Sequence, residues 1–208
     1  MTLSPTKLTF AVQLVNTTSA AQTVTLTNTG TATLTISSIT VTGTNAADFA
    51  QTNTCGSTVA AGGNCTFSVT FTPLASGTRT GNLSVSDNAS GSPQKVSLSG
   101  TGTVMTVVPG SLNFGSIKVG TTSPSQTVMI TNTSASSVSV TSVTKSGVNA
   151  KDFNMTSNTC GSTLGPSASC TVTLTFKPAA TGSRTATLSV NDTGGGSPQT
   201  VALSGTGT

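Results

Sequence analysis

The sequence contains one motif twice, and this internal repeat limits the folds that the chain can adopt. The first copy, residues 48–73, reads DFAQTNTCGSTVAAGGNCTFSVTFTP, and the second, residues 152–178, reads DFNMTSNTCGSTLGPSASCTVTLTFKP. Each copy has an Asp-Phe pair, a polar segment between two cysteines, and an alternating apolar run that ends at Phe-x-Pro. The repeat predicts two domains, residues 1–103 and 104–208, each with the size of a small compact domain.

Apolar residues alternate with Thr and Ser through most of each repeat. Val24 and Leu26 are separated by threonines, and Phe67, Val69 and Phe71 also occupy alternate positions. This period of two is the pattern of a half-buried strand, and Thr, of which the chain has 46, suits the solvent side because it is β-branched and polar. With about seven short strands per repeat and frequent turn signals, the sequence predicts an all-β fold of two tandem immunoglobulin-like antiparallel β-sandwich domains.

The alternation changes phase inside one strand of each repeat. Leu34 and Ile36 share one face, but the apolar positions then resume at Ile39 and Val41. The second repeat makes the same step, from Val138 and Val140 to Val143. A regular strand cannot change phase without turning its side chains to the other face, so the pattern predicts a β-bulge or a strand switch at this point.

The repeats follow each other without a flexible linker. Residues 100–103, GTGT, run directly into the apolar residues 104–108, VMTVV. A flexible tether would be longer and would lack the apolar run. We therefore expect the last strand of one domain to lead into the first strand of the next, and the two sandwiches to form a semi-rigid rod.

The four cysteines form one pair in each repeat, Cys55 with Cys65 and Cys160 with Cys170, ten positions apart. A bridge across so short a loop stabilises a small domain, and the spacing predicts two disulfides and an oxidising compartment. Zinc would require four ligands, but the chain has no His and no CxxC motif. Free thiols in a cytosolic protein are the remaining alternative.

The charged residues are few and, in the sequence, lie singly. The net charge of +4 comes from eight basic residues and four aspartates, and the chain contains no Trp or Tyr. Nucleic-acid binding needs a basic stripe and usually aromatic platforms, so we expect no nucleic-acid partner. No apolar run is long enough to predict a membrane span. The basic residues are Lys7, Arg79, Lys95, Lys118, Lys145, Lys151, Lys177 and Arg184.

The carboxylates are Asp48, Asp87, Asp152 and Asp192, at matching positions of the two repeats. We expect Asp48 and Asp152 to accept backbone N–H groups in a turn, and Asp87 and Asp192 to begin a Gly/Ser/Pro hairpin. The chain has no His or Glu, so a Ser nucleophile would have no evident base. The loop from Asn45 to Asp48 has one carboxylate, which is too few ligands for a calcium ion that takes six to eight oxygens. The sequence predicts a protein that is not an enzyme and holds no metal or cofactor.

The order of short motifs along the chain supports a family assignment. The motifs are GTxxxxQTVxxTNT, GxNxxDF, NTCGSTLxxxxxC, TFxP, GSRTATLSV and GSPQTVxLSGTGT, and together they span nearly all of the chain. They closely resemble the bacterial choice-of-anchor D domain, which is related to the ASH and hydin-like domains and to the major-sperm-protein type of immunoglobulin fold. The residues that carry this resemblance are Gln126, Val128, Asn132, Gly147, Asn149, Asp152, Phe153, Cys160, Cys170, Phe176, Pro178, Gly182, Arg184, Pro198, Gly205 and Gly207.

The resemblance implies tandem immunoglobulin-like domains on secreted or surface-anchored bacterial proteins. It implies no catalytic or ligand-binding residues, so none is transferred to this chain. Repeat one departs from the usual opening, with residues 14–16 reading LVN where residues 118–120 of repeat two read KVG.

These observations favour a non-catalytic structural or adhesive module that lies outside the cell or on its surface. It would act as a semi-rigid spacer of a bacterial surface protein or as the subunit of a filament, and its partners would be other copies of itself or further repeats. A module that binds carbohydrate or protein through its end loops is the alternative. An intracellular scaffold is a third hypothesis, and it would require reduced cysteines.

Overall fold

The computed structural model describes residues 1–208, and it divides into two compact units, Met1–Thr103 and Val104–Thr208. Almost all regular structure is β-strand, and the two helical segments are single 3-10 turns, Ala46–Asp48 and Ala150–Asp152. The predicted all-β sandwich class is therefore confirmed. The helical turns are far too short to cross a lipid bilayer, and the structure has no other helix.

The first unit contains nine strands in two facing sheets. One sheet has the order β1-β3-β7-β5 and the other the order β2-β9-β8-β4-β6. The strands are β1 Thr2–Ser4, β2 Lys7–Leu14, β3 Gln22–Thr27, β4 Leu34–Thr42, β5 Phe49–Asn53, β6 Thr58–Val59, β7 Asn64–Phe71, β8 Gly77–Asp87 and β9 Gln94–Thr103.

The second unit repeats this topology, with sheets β10-β12-β16-β14 and β11-β18-β17-β13-β15. Its strands match those of the first unit one for one. They are β10 Met105–Val108, β11 Ser111–Ile117, β12 Gln126–Asn132, β13 Val138–Ser146, β14 Phe153–Asn158, β15 Thr163–Leu164, β16 Ser169–Phe176, β17 Gly182–Asp192 and β18 Gln199–Gly207.

One strand pair in each unit is parallel, while all the other pairs are antiparallel. β2 runs parallel to β9, and β11 runs parallel to β18. The sequence predicted an antiparallel sandwich and did not indicate this one parallel pair. The alternation of apolar residues fixes which face of a strand is buried, but it carries no information about the direction of the neighbouring strand.

The predicted change of phase is a bulge in both units. The register of β4 against β8 shifts between Ile36 and Ser38, and that of β13 against β17 shifts between Val140 and Ser142. The residues before the shift also pair with the short strand β6 or β15, so β4 and β13 each lie between two partner strands. The prediction of a bulge at this point is confirmed.

Each core is built around three phenylalanine rings from three different strands. In the second unit Phe153 and Phe176 stack with ring centroids 4.9 Å apart, and Phe114 packs 5.8 Å from Phe153. Phe10, Phe49 and Phe71 form the same cluster in the first unit. The alternating strand β16 places its apolar side chains on this inner face, because its burial alternates along its whole length.

Candidate functional site

The four cysteines form the two bonds that their spacing suggested. Sγ of Cys55 lies 2.02 Å from Sγ of Cys65, and Sγ of Cys160 lies 2.06 Å from Sγ of Cys170. The first cysteine of each pair is half-buried and the second is buried at the start of a core strand. No thiol is left free, and no group of three or more His, Cys, Asp or Glu side chains is close enough to hold a metal ion.

The disulfide loop links the two sheets of its unit. In the second unit the loop leaves the edge strand β14, contributes β15 to the opposite sheet and returns as β16. Asn158 supports the start of the loop, because its Oδ1 accepts the N–H of Cys160 at 3.0 Å. The disulfide-closed loop therefore connects the two sheets of the unit.

Asp48 and Asp152 do not have the partners that the sequence suggested. Each is buried and pairs with an arginine of the facing sheet rather than with backbone N–H groups. Nε of Arg79 lies 2.5 Å from Oδ2 of Asp48, and Nε of Arg184 lies 2.6 Å from Oδ2 of Asp152. The expectation of a backbone-capping carboxylate is wrong because these arginines, 31 and 32 residues further along the chain, reach over the 3-10 turn.

Asp87 and Asp192 begin the hairpins, as predicted. Oδ1 of Asp192 accepts the N–H of Gly194 at 2.7 Å, and the N–H of Asp192 donates to Oγ of Ser197 at 2.9 Å. Oδ2 of Asp192 is buried without a hydrogen-bond partner. Burial raises the pKa of the Asp192 carboxyl above its ordinary value of 3.8, and the interactions with the Gly194 backbone and the Gln199 side chain oppose this shift.

The carboxylates of one unit are too far apart to work together. Arg184, which holds Asp152, lies near the start of β17, and Asp192 ends the same strand. Arg184 and Asp192 are eight residues apart along β17, which at about 3.3 Å per residue corresponds to roughly 26 Å. A general acid and a general base must both reach the same reacting group, so these residues cannot form an acid–base pair.

Two buried asparagines, Asn28 just after β3 and Asn132 at the end of β12, hold the neighbouring loops in place. Asn132 is fully buried, and its Nδ2 donates to the carbonyl oxygens of Ser136, Leu164 and Gly165 at 2.7–3.1 Å. Its Oδ1 accepts the N–H and the hydroxyl of Ser134. Asn28 makes the matching bonds in the first unit. The sequence signals for these residues are a polar residue at the end of an otherwise alternating strand and, for Asn132, its place in the family resemblance.

The structure gathers basic residues that lie apart in the sequence. We call them the basic end of the second unit: Lys118, Lys145, Lys151, Lys177 and Arg184. Lys118 follows β11, Lys177 follows β16, Lys145 lies near the end of β13, and Lys151 lies in the 3-10 turn. Lys151 and Lys177 line one cavity of about 390 Å³ together with Val119 and Pro178. The cluster is not visible in the sequence because its members come from separate segments.

The fold and these contacts define immunoglobulin-like sandwiches in which the buried carboxylates and amides serve mainly to hold loops. The family model described as "ASH: Abnormal spindle-like microcephaly-assoc'd, ASPM-SPD-2-Hydin" matches residues 1–95 and 103–200. The chain therefore belongs to the ASH domain family, with two copies of the domain. No curated protein matches the chain significantly in sequence.

Several solved structures are similar in fold. A protein of unknown function from Porphyromonas gingivalis W83 is 13% identical, with 99% of this chain and 98% of that chain covered and a TM-score of 0.41. The ASH/PapD-like domain 7 of human CEP192 is 17% identical, covering 51% of this chain and 86% of that chain, with a TM-score of 0.39. The Vibrio cholerae VesB protease is 21% identical, covering 50% of this chain and 32% of that chain, with a TM-score of 0.39.

Proposed function

We propose that the chain is a non-catalytic structural module of a bacterial protein exposed outside the cell, of the choice-of-anchor D type. The observation that carries this proposal is the disulfide in each unit, Cys55–Cys65 and Cys160–Cys170. Disulfides of this kind form and persist in oxidising compartments, whereas cytosolic thiols are kept reduced. Two independent copies of the same closed loop favour a structural use over a redox-active one.

A non-catalytic role is supported by what each carboxylate does. Asp48 and Asp152 are buried, and each is paired with an arginine, Arg79 or Arg184. Asp192 supports its own hairpin. The chain has no His or Glu that could act as a base towards one of its many hydroxyl groups.

Thiol labelling tests the compartment directly. Cells that produce the full-length protein are treated with a membrane-impermeant maleimide before and after reduction. The protein is then isolated, and its mass is measured by mass spectrometry. We expect no label before reduction and labelling of all four cysteines after it. Full labelling in freshly lysed, unreduced cells would contradict the proposal, because it would place the thiols in a reducing compartment.

The partners that we propose are further repeats of the same domain in a longer surface protein, for which these two would serve as a spacer, or other copies of the chain in a filament. The support is the tandem repeat and the apolar segment 104–108 that follows the first repeat directly. Negative-stain electron microscopy at high protein concentration tests the filament version. Single, monodisperse particles would leave the spacer role and exclude the filament.

A further inference from the structure

We propose that the basic end of the second unit is an oxyanion-binding site for an acidic polysaccharide. Lysines from separate segments of the second unit converge on this end, although no lysine is adjacent to another in the sequence. Lys151 and Lys177 line the same cavity, and Lys118 immediately precedes Val119, which forms part of its wall. Lysine ammonium groups are charged hydrogen-bond donors, which bind carboxylate, sulfate or phosphate.

The basic residues at this end outnumber its side-chain carboxylates, of which Asp152 also lines the cavity. Arg184 is paired with Asp152, and Asp192 lies at the opposite end of β17. Nζ of Lys145 donates to the carbonyl oxygens of Phe153 and Ala150. The three remaining lysines are exposed, and none is within ion-pair distance of a carboxylate. An anion that binds here would relieve their mutual repulsion.

The second unit does not need these lysines in order to fold. The first unit has the same topology, and at the positions of Lys118, Lys151 and Lys177 it carries the uncharged residues of its own repeat. These are Leu14, Ala47 and Thr72. Since the same sandwich forms with and without the basic side chains, a purely structural role does not explain why they are gathered on one cavity of one unit.

The cavity suits a sugar that carries an acidic group. Its volume of about 390 Å³ lies within the range of pockets that hold small ligands. Val119, Pro178 and Ala179 offer an apolar wall for the ring carbons, and the amide of Asn154 adds a neutral polar group beside the lysines. The choice of a polysaccharide rests on the extracellular location proposed above, whereas the binding measurement itself does not depend on location.

Nucleic acid is the less favoured polyanion. Proteins that bind single strands stack the bases on exposed aromatic side chains. The chain has no Trp or Tyr, and its seven phenylalanines, including Phe153 and Phe176, are all buried. The basic end therefore offers charge for an acidic polymer but no platform for bases.

The test uses the full chain and two double variants with the same change in net charge. Lys151→Gln with Lys177→Gln removes the cavity lysines, and Lys7→Gln with Lys95→Gln removes two exposed lysines of the first unit. Binding is measured by isothermal titration calorimetry and biolayer interferometry to polygalacturonate (carboxylate), heparin (sulfate), neutral dextran and single-stranded DNA, with inorganic phosphate as a competitor. Circular dichroism checks that each variant remains folded.

We expect the unaltered chain to bind at least one acidic polysaccharide and not dextran, with an affinity that falls as salt is raised. The cavity variant should lose about tenfold or more in affinity, and the matched control less than about threefold. The inference is overturned if neither acidic polysaccharide binds at low salt, if both variants lose affinity equally, or if DNA binds more tightly than either polysaccharide.

Discussion

Asn132→Asp exchanges a hydrogen-bond donor for an acceptor at a fully buried site without changing the size of the side chain. Nδ2 of Asn132 donates to three carbonyl oxygens, those of Ser136, Leu164 and Gly165. In the variant a carboxylate oxygen would face the same three carbonyl oxygens. The change therefore removes the donor and places a negative charge against three negative dipoles, while the packing volume is kept.

The expected cost follows from these contacts. The amide NH2 of Asn132 has two protons, which the three carbonyl oxygens share. At about 1 kcal/mol for each proton, these bonds account for about 2 kcal/mol of the free energy of unfolding, and the buried charge brings the total to about 3–5 kcal/mol at neutral pH. For a domain of this size, 3 kcal/mol corresponds to a fall of roughly 12–24 °C in the melting temperature. The introduced carboxyl should also have a raised pKa, because burial and the carbonyl oxygens disfavour its charged form. The destabilisation is then complete above this raised pKa and declines as the pH falls through it towards about 4.

Differential scanning calorimetry at pH 7 and pH 4 measures the effect, since the chain has no Trp or Tyr for fluorescence. Hydrogen exchange with mass spectrometry assigns it to residues 104–208. Asn113→Asp is the matched control. Asn113 is exposed, and its Oδ1 accepts the N–H of Gly115 at 2.9 Å, a bond that a carboxylate keeps.

The control should change the melting temperature by less than about 2 °C, because an exposed substitution that keeps its bond has little effect on stability. The reasoning about Asn132 would be refuted by a loss below about 1 kcal/mol at pH 7, or by a loss equal to that of the control. A large loss with no recovery at pH 4 would count against the charge component.

Three further outcomes are expected. Gly205→Ala would place a Cβ 2.5 Å from Cε1 of the buried Phe176, so it should lower the free energy of unfolding by about 1–3 kcal/mol in denaturant titrations. Gly161→Ala is the control, because its added Cβ meets nothing within 4 Å and should leave the free energy of unfolding unchanged. Because burial raises the pKa of Asp192, the native state binds its proton more tightly than the unfolded state, so stability should fall as the pH rises through that raised pKa. Asp192→Asn should flatten this pH dependence between pH 4 and 7 in calorimetry. Replacing both Cys160 and Cys170 by Ser should cost about 3 kcal/mol in chemical denaturation, and an unchanged midpoint would show that the loop needs no bond.

Periodicity was enough to predict which side chains build the core. Phe67, Val69 and Phe71 were placed on one face by their spacing alone, and the structure buries all three. The bulge at Ser37 and Ser38 could also be predicted, because a change of phase leaves a visible mark in the sequence. These features are local, and local patterns can be read along the chain.

Contacts between distant segments could not be predicted in the same way. Arg79 reaches Asp48 across 31 residues, and nothing in either local sequence identifies the partner. The basic end was missed for the same reason, because Lys151 and Lys177 approach each other only when the turn before β14 and the end of β16 lie side by side. The positions of charged residues in the sequence do not give the electrostatic potential at one end of a folded unit, because that potential depends on which segments lie together.

The parallel pairing of the first long strand with the last has a mechanical consequence for each unit. Because β11 and β18 point in the same direction, the chain enters the second unit at one end of this pair and leaves at the other. Tension between the start of β11 and the end of β18 would slide one strand along the other, where Ser111 lies beside Ala202 and Ile117 beside Gly207. The ladder bonds between the two strands are loaded together in shear instead of being unzipped one at a time, so a domain of this topology resists stretching along its strands.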